Sequence, residues 1–364
     1  MAIDTSQVLK ALSHVIDPDL GRDLVTLNMI KDVEVDGDRV AFTVELTTPA
    51  CPLKEQIKTA CVSAIHEHVS PSAEVDVSMS SNVTSRRQQD PSELLPGVKN
   101  TIAVASGKGG VGKSTVACNL AVELAKSGAS VGLVDTDIYG PSIPTMFGLT
   151  DQRPRVNEER KIVPLEQFGV KLLSMGFLVD PDEAVVWRGP MVTSAVRQFL
   201  EQCDWGELDY LVLDLPPGTG DIQLTLVQTV PLSGAIIVST PQTVALADAR
   251  KGVAMFRKVN VPVLGIVENM AYFVPPDLPD RKYHLFGQGG ASALAAEMGV
   301  PVLAEIPLEQ NVREGGDEGV PVVLRDENSL SATAFAELAQ RTAQEMSIRN
   351  AGAETEIPLD IVYE

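Results

Sequence analysis

The sequence predicts a doubly wound, mostly parallel α/β sheet preceded by a small α+β domain. From residue 100 onward, short apolar runs alternate with helix-like stretches, at 101–105, 131–135, 170–174, 209–214, 235–239, 263–268 and 302–306. That alternation is the pattern of a parallel sheet with helices on its faces. Aromatic residues make up only 4% of the chain against 44% hydrophobic residues, so the core is Val, Leu, Ile and Ala, which suits strands buried on both faces. A glycine-rich run, Gly107-Lys108-Gly109-Gly110-Val111-Gly112-Lys113-Ser114, joins the first of these strands to the first helix of the sheet.

Residues 1–80 read as the small domain. A helix carries Val8, Leu9, Leu12 and Val15, and the turn Asp17-Pro18-Asp19 follows. Strands Ile30–Val35 and Arg39–Leu46 meet across Asp36-Gly37-Asp38, a hairpin signal. A second helix runs from about Pro52 to His66 with Leu53, Ile57, Ala60, Cys61 and Ala64 on one stripe, and Ala73–Met79 alternates as a last strand. Residues 81–99 are polar and irregular, a linker by composition. Residues 100–350 form the sheet domain, and 351–364 are an acidic tail expected to be mobile.

Charge and composition exclude several functions. The formal net charge is −20, and no Lys/Arg cluster is longer than Arg86-Arg87. Gripping nucleic acid requires a positive surface that displaces counterions, so nucleic acid is not expected as a partner, nor is an anionic membrane. No apolar run approaches the roughly 20 residues of a membrane span. The start, Met-Ala-Ile-Asp-Thr-Ser, has no basic region followed by an apolar stretch, so no signal peptide is evident. Four scattered cysteines, none in C-x-x-C, do not form a disulfide framework, and a cytoplasmic location is expected.

The glycine-rich run fits the pattern G-x-x-x-x-G-K-[ST]. Its glycines let the backbone curl so that N–H groups face phosphate oxygens, and the helix N-terminus adds partial positive charge. Gly107 through Ser114, with Thr115 next, are the candidate nucleotide contacts. Lys113 is placed to reach the β- and γ-phosphates, and the Ser114 hydroxyl to reach magnesium. Two acidic loops follow later strands: Asp135-Thr136-Asp137-Ile138-Tyr139-Gly140-Pro141-Ser142 and Asp214-Leu215-Pro216-Pro217-Gly218-Thr219-Gly220-Asp221. A carboxylate at a strand end beside a phosphate loop can hold magnesium through water, and Asp214 is the candidate. Asp137 is the candidate for orienting the attacking water, since phosphoryl transfer is mostly positioning plus electrostatics. Lys108 is a second lysine beside the loop, either solvated or crossing to the phosphates of a second subunit.

With that extra lysine, the loop resembles the deviant phosphate loop of the MinD/ParA/nitrogenase-iron-protein class. Within that class, Asp137–Ser142, Trp187-Arg188-Gly189-Pro190-Met191, Asp214–Asp221, Glu268-Asn269-Met270 and Phe286-Gly287-Gln288-Gly289-Gly290 resemble the Mrp family of iron–sulfur carrier ATPases. The likeness spans about residues 95–345. It implies ATP as nucleotide, a homodimer with nucleotide near its interface, Asn269 at the adenine, and iron–sulfur apoproteins and assembly factors as partners. Asp17-Pro18-Asp19-Leu20 and Thr47-Thr48-Pro49-Ala50-Cys51-Pro52 resemble the small domain of iron–sulfur assembly factors.

One departure bears on the cargo. Carriers of this family usually show a C-x-x-C between the Glu-Asn-Met and Phe-Gly-x-Gly-Gly segments, which across a dimer gives a cluster four thiolates. Here the stretch Ala271–Leu285 contains no cysteine. Its Asp277, Asp280 and His284 offer donors unsuited to a cluster and read as solvated. Cys51 is the candidate iron–sulfur ligand, with Cys203 or partner thiols. Pro52 suits a first helical position, which would put Cys51 near a helix N-terminus and lower its thiol pKa. Cys61 and Cys118 read as core. Three functions remain: an ATP-hydrolysing homodimer that transfers iron–sulfur clusters, a nucleotide-gated assembly scaffold that holds none, or a positioning ATPase like MinD or ParA.

Overall fold

The computed structural model describes residues 3–85, 94–137, 140–177 and 189–353. Part of the 81–99 linker, Ile138, Tyr139, Trp187, Arg188 and the tail from 354 lie outside the described residues. The chain divides into two compact units. One comprises residues 1–86 with 343–364, and the other residues 87–342.

The first unit contains α1 (Thr5–Leu12), β1 (Ile30–Asp36), β2 (Arg39–Leu46), α2 (Lys54–His68) and β3 (Glu74–Ser81). Asp4 starts α1 because its carboxylate accepts from the N–H groups of Ser6 and Gln7, and Gln7 reaches back to the Asp4 backbone, a reciprocal capping box. Val15 lies past the end of α1 but is still buried. The strands form one sheet in the order β1-β2-β3, with β2 antiparallel to β1 and parallel to β3. Val40, Phe42, Val44 and Leu46 alternate inward from β2 against Val8, Leu12, Ile57 and Ile65 of the two helices.

The second unit is built on β4 (Val98–Ser106), α3 (Lys113–Lys126), β5 (Val131–Asp135), α4 (Ile143–Met146), β6 (Arg155–Val156), β7 (Ile162–Val163), β8 (Leu165–Gln167) and β9 (Val170–Ser174). It continues through α5 (Gly189–Gln202), β10 (Leu208–Asp214), α6 (Asp221–Thr229), β11 (Gly234–Ser239), α7 (Thr243–Lys258), β12 (Val263–Asn269) and α8 (Gly290–Met298). It closes with β13 (Val302–Ile306), α9 (Gln310–Glu318), α10 (Val322–Arg325) and α11 (Leu330–Ala353), whose last residues, from Ala343, belong to the first unit.

The doubly wound sheet expected from the sequence is present, in the order β13-β12-β11-β4-β10-β5-β9-β8. All seven expected strands are there and pair in parallel; β8 adds an antiparallel edge. Ala103, Ala105, Leu211 and Leu213 share a core with Val192, Phe199, Leu226, Phe256 and Leu294 of α5 to α8. Their neighbours Ile102, Val104 and Val212 are equally buried, and α3 packs on β4, β5 and β10. Both faces are therefore covered, which explains why the strands read as continuous apolar runs. Strand β4 lies between β10 and β11, where the winding reverses. In open α/β sheets that switch point, at the carboxyl ends of the strands, is where ligands bind.

Candidate functional site

The glycine-rich run leaves the carboxyl end of β4 and ends in α3. Gly110 and Gly112 have φ of +81° and +82°, a left-handed backbone that favours glycine. A Cβ on Gly112 would also stand 2.2 Å from Asn269 Nδ2. At Gly107 a Cβ would meet the backbone of Asp248 at 2.3 Å, so α7 lies against the start of the loop. Gly109 and Gly110 are exposed, Val111 is buried, and Lys108, Ser114 and Thr115 are half-buried. The Lys108 carbonyl accepts from Ser106 Oγ at 2.9 Å.

Lys113 turns inward. It is buried, and its Nζ donates to Asp214 Oδ1 and, at 3.2 Å, to Ser114 Oγ. Asp214 ends β10 and is fully buried, and its Oδ2 has no hydrogen-bond partner. Its backbone carbonyl accepts from Thr136 N at 3.0 Å and Thr136 Oγ1 at 2.7 Å, tying the two acidic loops together. Burial holds the Asp214 carboxyl above the usual carboxylate range, opposed by the Lys113 ammonium and the nearby Ser114 hydroxyl. A buried carboxylate oxygen with no partner, beside a serine hydroxyl, is the hard oxygen set that suits magnesium.

Asp135 is a carboxylate that the sequence reading passed over. It ends β5, sits opposite Asp214 in the strand register, and is fully buried. Its Oδ1 accepts from Asp137 N at 3.0 Å, and its Oδ2 from Ser174 Oγ at 3.0 Å and Ile143 N at 3.4 Å. Burial first, then the Asp214 charge, push its carboxyl up to about 7, against the pull of Lys113. Asp135 thus shapes the loop carrying half-buried Asp137. The available signal was that both acidic loops begin with Asp at the last residue of a strand.

Asn269 ends β12 and is buried; its Nδ2 donates to the Val111 carbonyl at 2.8 Å. It lines a cavity of about 620 Å³ with Gly112, Thr115, Met270, Pro307, Leu308 and Arg313 among others. The phosphate loop, Asn269 and the segment after β13 therefore converge on one concavity. The part played by residues 307–317 was not visible in the sequence, since no motif there stands out from ordinary helix and turn chemistry.

The stretch Ala271–Leu285 is a loop closed by a short bridge. Phe273 and Tyr283 exchange backbone hydrogen bonds at 2.9 and 2.8 Å, and Lys282 Nζ stands 4.2 Å from the Tyr272 ring centre. Asp277, Asp280 and His284 are exposed. Among the described residues, no group of three or more His, Cys, Asp or Glu can hold a metal ion.

In the first unit the structure corrects the expectation for Cys51. Helix α2 starts at Lys54, with Leu53 as its cap and Pro52 in the preceding turn. Cys51 therefore stands outside the helix and is half-buried. Its thiol is pushed up, not down. Desolvation is the main cause, and the carboxylates of Asp19 and Asp17 add to it. Cys61 and Cys118 are buried as expected, and Cys203 is buried with its thiol pushed up to about 12, first by desolvation.

A doubly wound sheet with a lysine-bearing glycine loop and a strand-end carboxylate defines the class of P-loop nucleotide-binding proteins. Residues 97–343 match the family model described as NUBPL iron-transfer P-loop NTPase, and residues 5–78 match that described as iron-sulfur cluster assembly protein. The chain belongs to the NUBPL iron-transfer P-loop NTPase family, and its second unit is a P-loop NTPase domain. An iron-sulfur cluster carrier protein of Synechocystis sp. is 51% identical over 350 residues, covering 95% of this chain and 99% of the relative. One from Deinococcus radiodurans is 50% identical, covering 94% and 95%. Among solved structures, an Archaeoglobus fulgidus nucleotide-binding protein in complex with ADP superposes with a TM-score of 0.58 at 40% identity, covering 66% of this chain and 94% of that one. The Pyrococcus furiosus cell division ATPase MinD superposes with a TM-score of 0.50 at 26% identity, covering 66% and 97%.

Proposed function

We propose that this chain is a magnesium-dependent ATPase that acts as a homodimer and transfers iron–sulfur clusters to apoproteins. The convergence of Lys113, Ser114 and buried Asp214 at the carboxyl end of β4 and β10 carries the nucleotide half of this reading. The carrier half is supported by near full-length relatives named iron-sulfur cluster carrier protein. Loop N–H groups from Gly107 to Ser114 cradle the phosphates, and Thr115 and Asn269 face the nucleoside in the cavity. Lys113 neutralises β- and γ-phosphate oxygens. Ser114 and, through water, Asp214 would hold magnesium, which would supply positive charge against the charge that develops on the phosphates. Asp137 orients the attacking water. Four cysteines without a disulfide among them suit a reducing compartment, and we assign the cytoplasm. No helix among the described residues is long and apolar enough to cross a membrane.

Lys108 is half-buried in the glycine loop, without the buried ion pair that holds Lys113. We assign it to the partner's nucleotide in the dimer. Lys108→Ala is expected to weaken ATP-dependent dimerisation about tenfold, or about 1.4 kcal/mol, less than the cost of truncating a buried charge pair. Analytical ultracentrifugation with a non-hydrolysable ATP analogue checks this, and unchanged dimerisation with unchanged turnover overturns it.

The cargo reading is tested by anaerobic reconstitution with iron and sulfide, on wild type and Cys51→Ala, followed by transfer to an apoprotein. A transferable cluster, recorded in the visible spectrum and lost with Cys51, is the expected result. A second reading, a nucleotide-gated scaffold that holds no cluster, is favoured by one observation: the loop from Ala271 to Leu285 has no cysteine. A wild type that takes up no cluster selects the scaffold.

A further inference from the structure

The lysine assigned to phosphate and the carboxylate assigned to magnesium are bonded to each other. Lys113 Nζ donates to Asp214 Oδ1 and to the Ser114 hydroxyl, so the three side chains needed by ATP and magnesium form one contact. The Lys113 side chain is 6% exposed and that of Asp214 0%. Charges buried this deeply cannot exchange their partner for water, and stripping either one of its counter-charge is costly. A phosphate drawing Lys113 away leaves Asp214 without its cation. A divalent ion taking Asp214 leaves Lys113 without its anion.

We propose that the Lys113–Asp214 pair is a latch that makes nucleotide and divalent-cation binding mutually dependent. Phosphate takes Lys113 at low cost only when a cation takes Asp214, and the converse holds to the same degree, because coupling between two binding events is reciprocal. This rests on the assignment of these residues to ATP and magnesium above. It goes beyond it in predicting that Asp214 opposes nucleotide binding when no metal is present. A carboxylate that acted only as a metal ligand, or as a like charge near the phosphates, would give a metal-free gain that does not depend on Lys113.

The test uses the full chain and a fluorescent ATP analogue, titrated in EDTA and again with excess magnesium. Asp214→Asn keeps the shape and removes the charge. It is expected to bind metal-free analogue about tenfold more tightly than wild type, within the usual 5–150-fold span of coupling, and to lose most of the gain that magnesium brings. Asp214→Ser removes the same charge and reads the same titration, with thermal unfolding showing that each variant is folded. Adding Lys113→Ala to Asp214→Asn should abolish the tighter binding. In wild type, which needs no substitution, acylation of Lys113 followed by mass spectrometry should accelerate when magnesium is added. Wild type that binds the analogue while folded variants show no metal-free gain overturns the latch alone, as does a gain that survives Lys113→Ala or acylation indifferent to magnesium. Wild type that binds no analogue even with magnesium overturns the ATP assignment and the latch together.

Discussion

Lys113→Ala is expected to weaken ATP binding by about 2–5 kcal/mol, the usual cost of truncating one partner of a buried charge pair, and to remove hydrolysis with it. The ammonium is held by Asp214 and Ser114 at the carboxyl end of the central strands, beside the phosphate loop, and is released toward phosphate when a cation takes Asp214. Once released, its charge acts in a site with little water to screen it. The substitution also strands the Asp214 carboxylate, so part of its effect falls on folding. Separating the two needs both thermal unfolding and a calorimetric titration with ATP and magnesium. Unchanged affinity in a folded Lys113→Ala protein would remove the lysine from the phosphate site. Lys113→Arg should not rescue fully, because a planar guanidinium does not fit where a point charge meets one carboxylate oxygen and one hydroxyl.

The sequence made the sheet and the phosphate loop legible for a shared reason. Strands buried on both faces must be apolar along their whole length, so each shows as a run such as Val131–Val134 or Tyr210–Leu213 without any need for tertiary information. The glycine loop shows because the positive φ at Gly112 and the 2.2 Å approach of Asn269 to its Cβ position leave no other residue type. Asp135 was hidden because its meaning depends on strand order. Asp135 and Asp214 are neighbours only once β10 has inserted between β4 and β5, and no local pattern encodes that insertion. The cavity wall beyond β13 was hidden likewise, since Pro307 and Leu308 gain their role from lying across from Asn269. Cys51 misled for an energetic reason. A helix start two residues later than expected removed the dipole, and desolvation beside Asp19 and Asp17 reversed the sign of the shift. The pair of short strands β6 and β7 and the edge strand β8 were also missed, because two or three residues carry no periodicity.

Asp137→Ala is expected to lower ATP turnover about 10²–10⁴-fold, the usual contribution of a positioned proton acceptor. ATP affinity should stay within about threefold of wild type, because the residue is assigned no contact with the ground-state phosphates. The structural case is the way the loop is held. Asp137 N–H is bound to Asp135 Oδ1, and Asp135 is in turn fixed by Ser174 and by Ile143 N–H, so the backbone at 137 is set by a buried anchor. Asp137 itself is half-buried two residues beyond the end of β5. It stands nearer to solvent than fully buried Asp135. Asp135, with both oxygens engaged, holds the loop, and Asp137 is the residue proposed to act on the nucleophile. Asp137→Asn sharpens the test, since it keeps the shape and can still orient water while losing the charge. Turnover as low as that of Asp137→Ala would show that the charge matters, and partial recovery would show that orientation dominates. Loss of ATP binding in either variant would place Asp137 in the ground-state nucleotide site instead and end its assignment to the water.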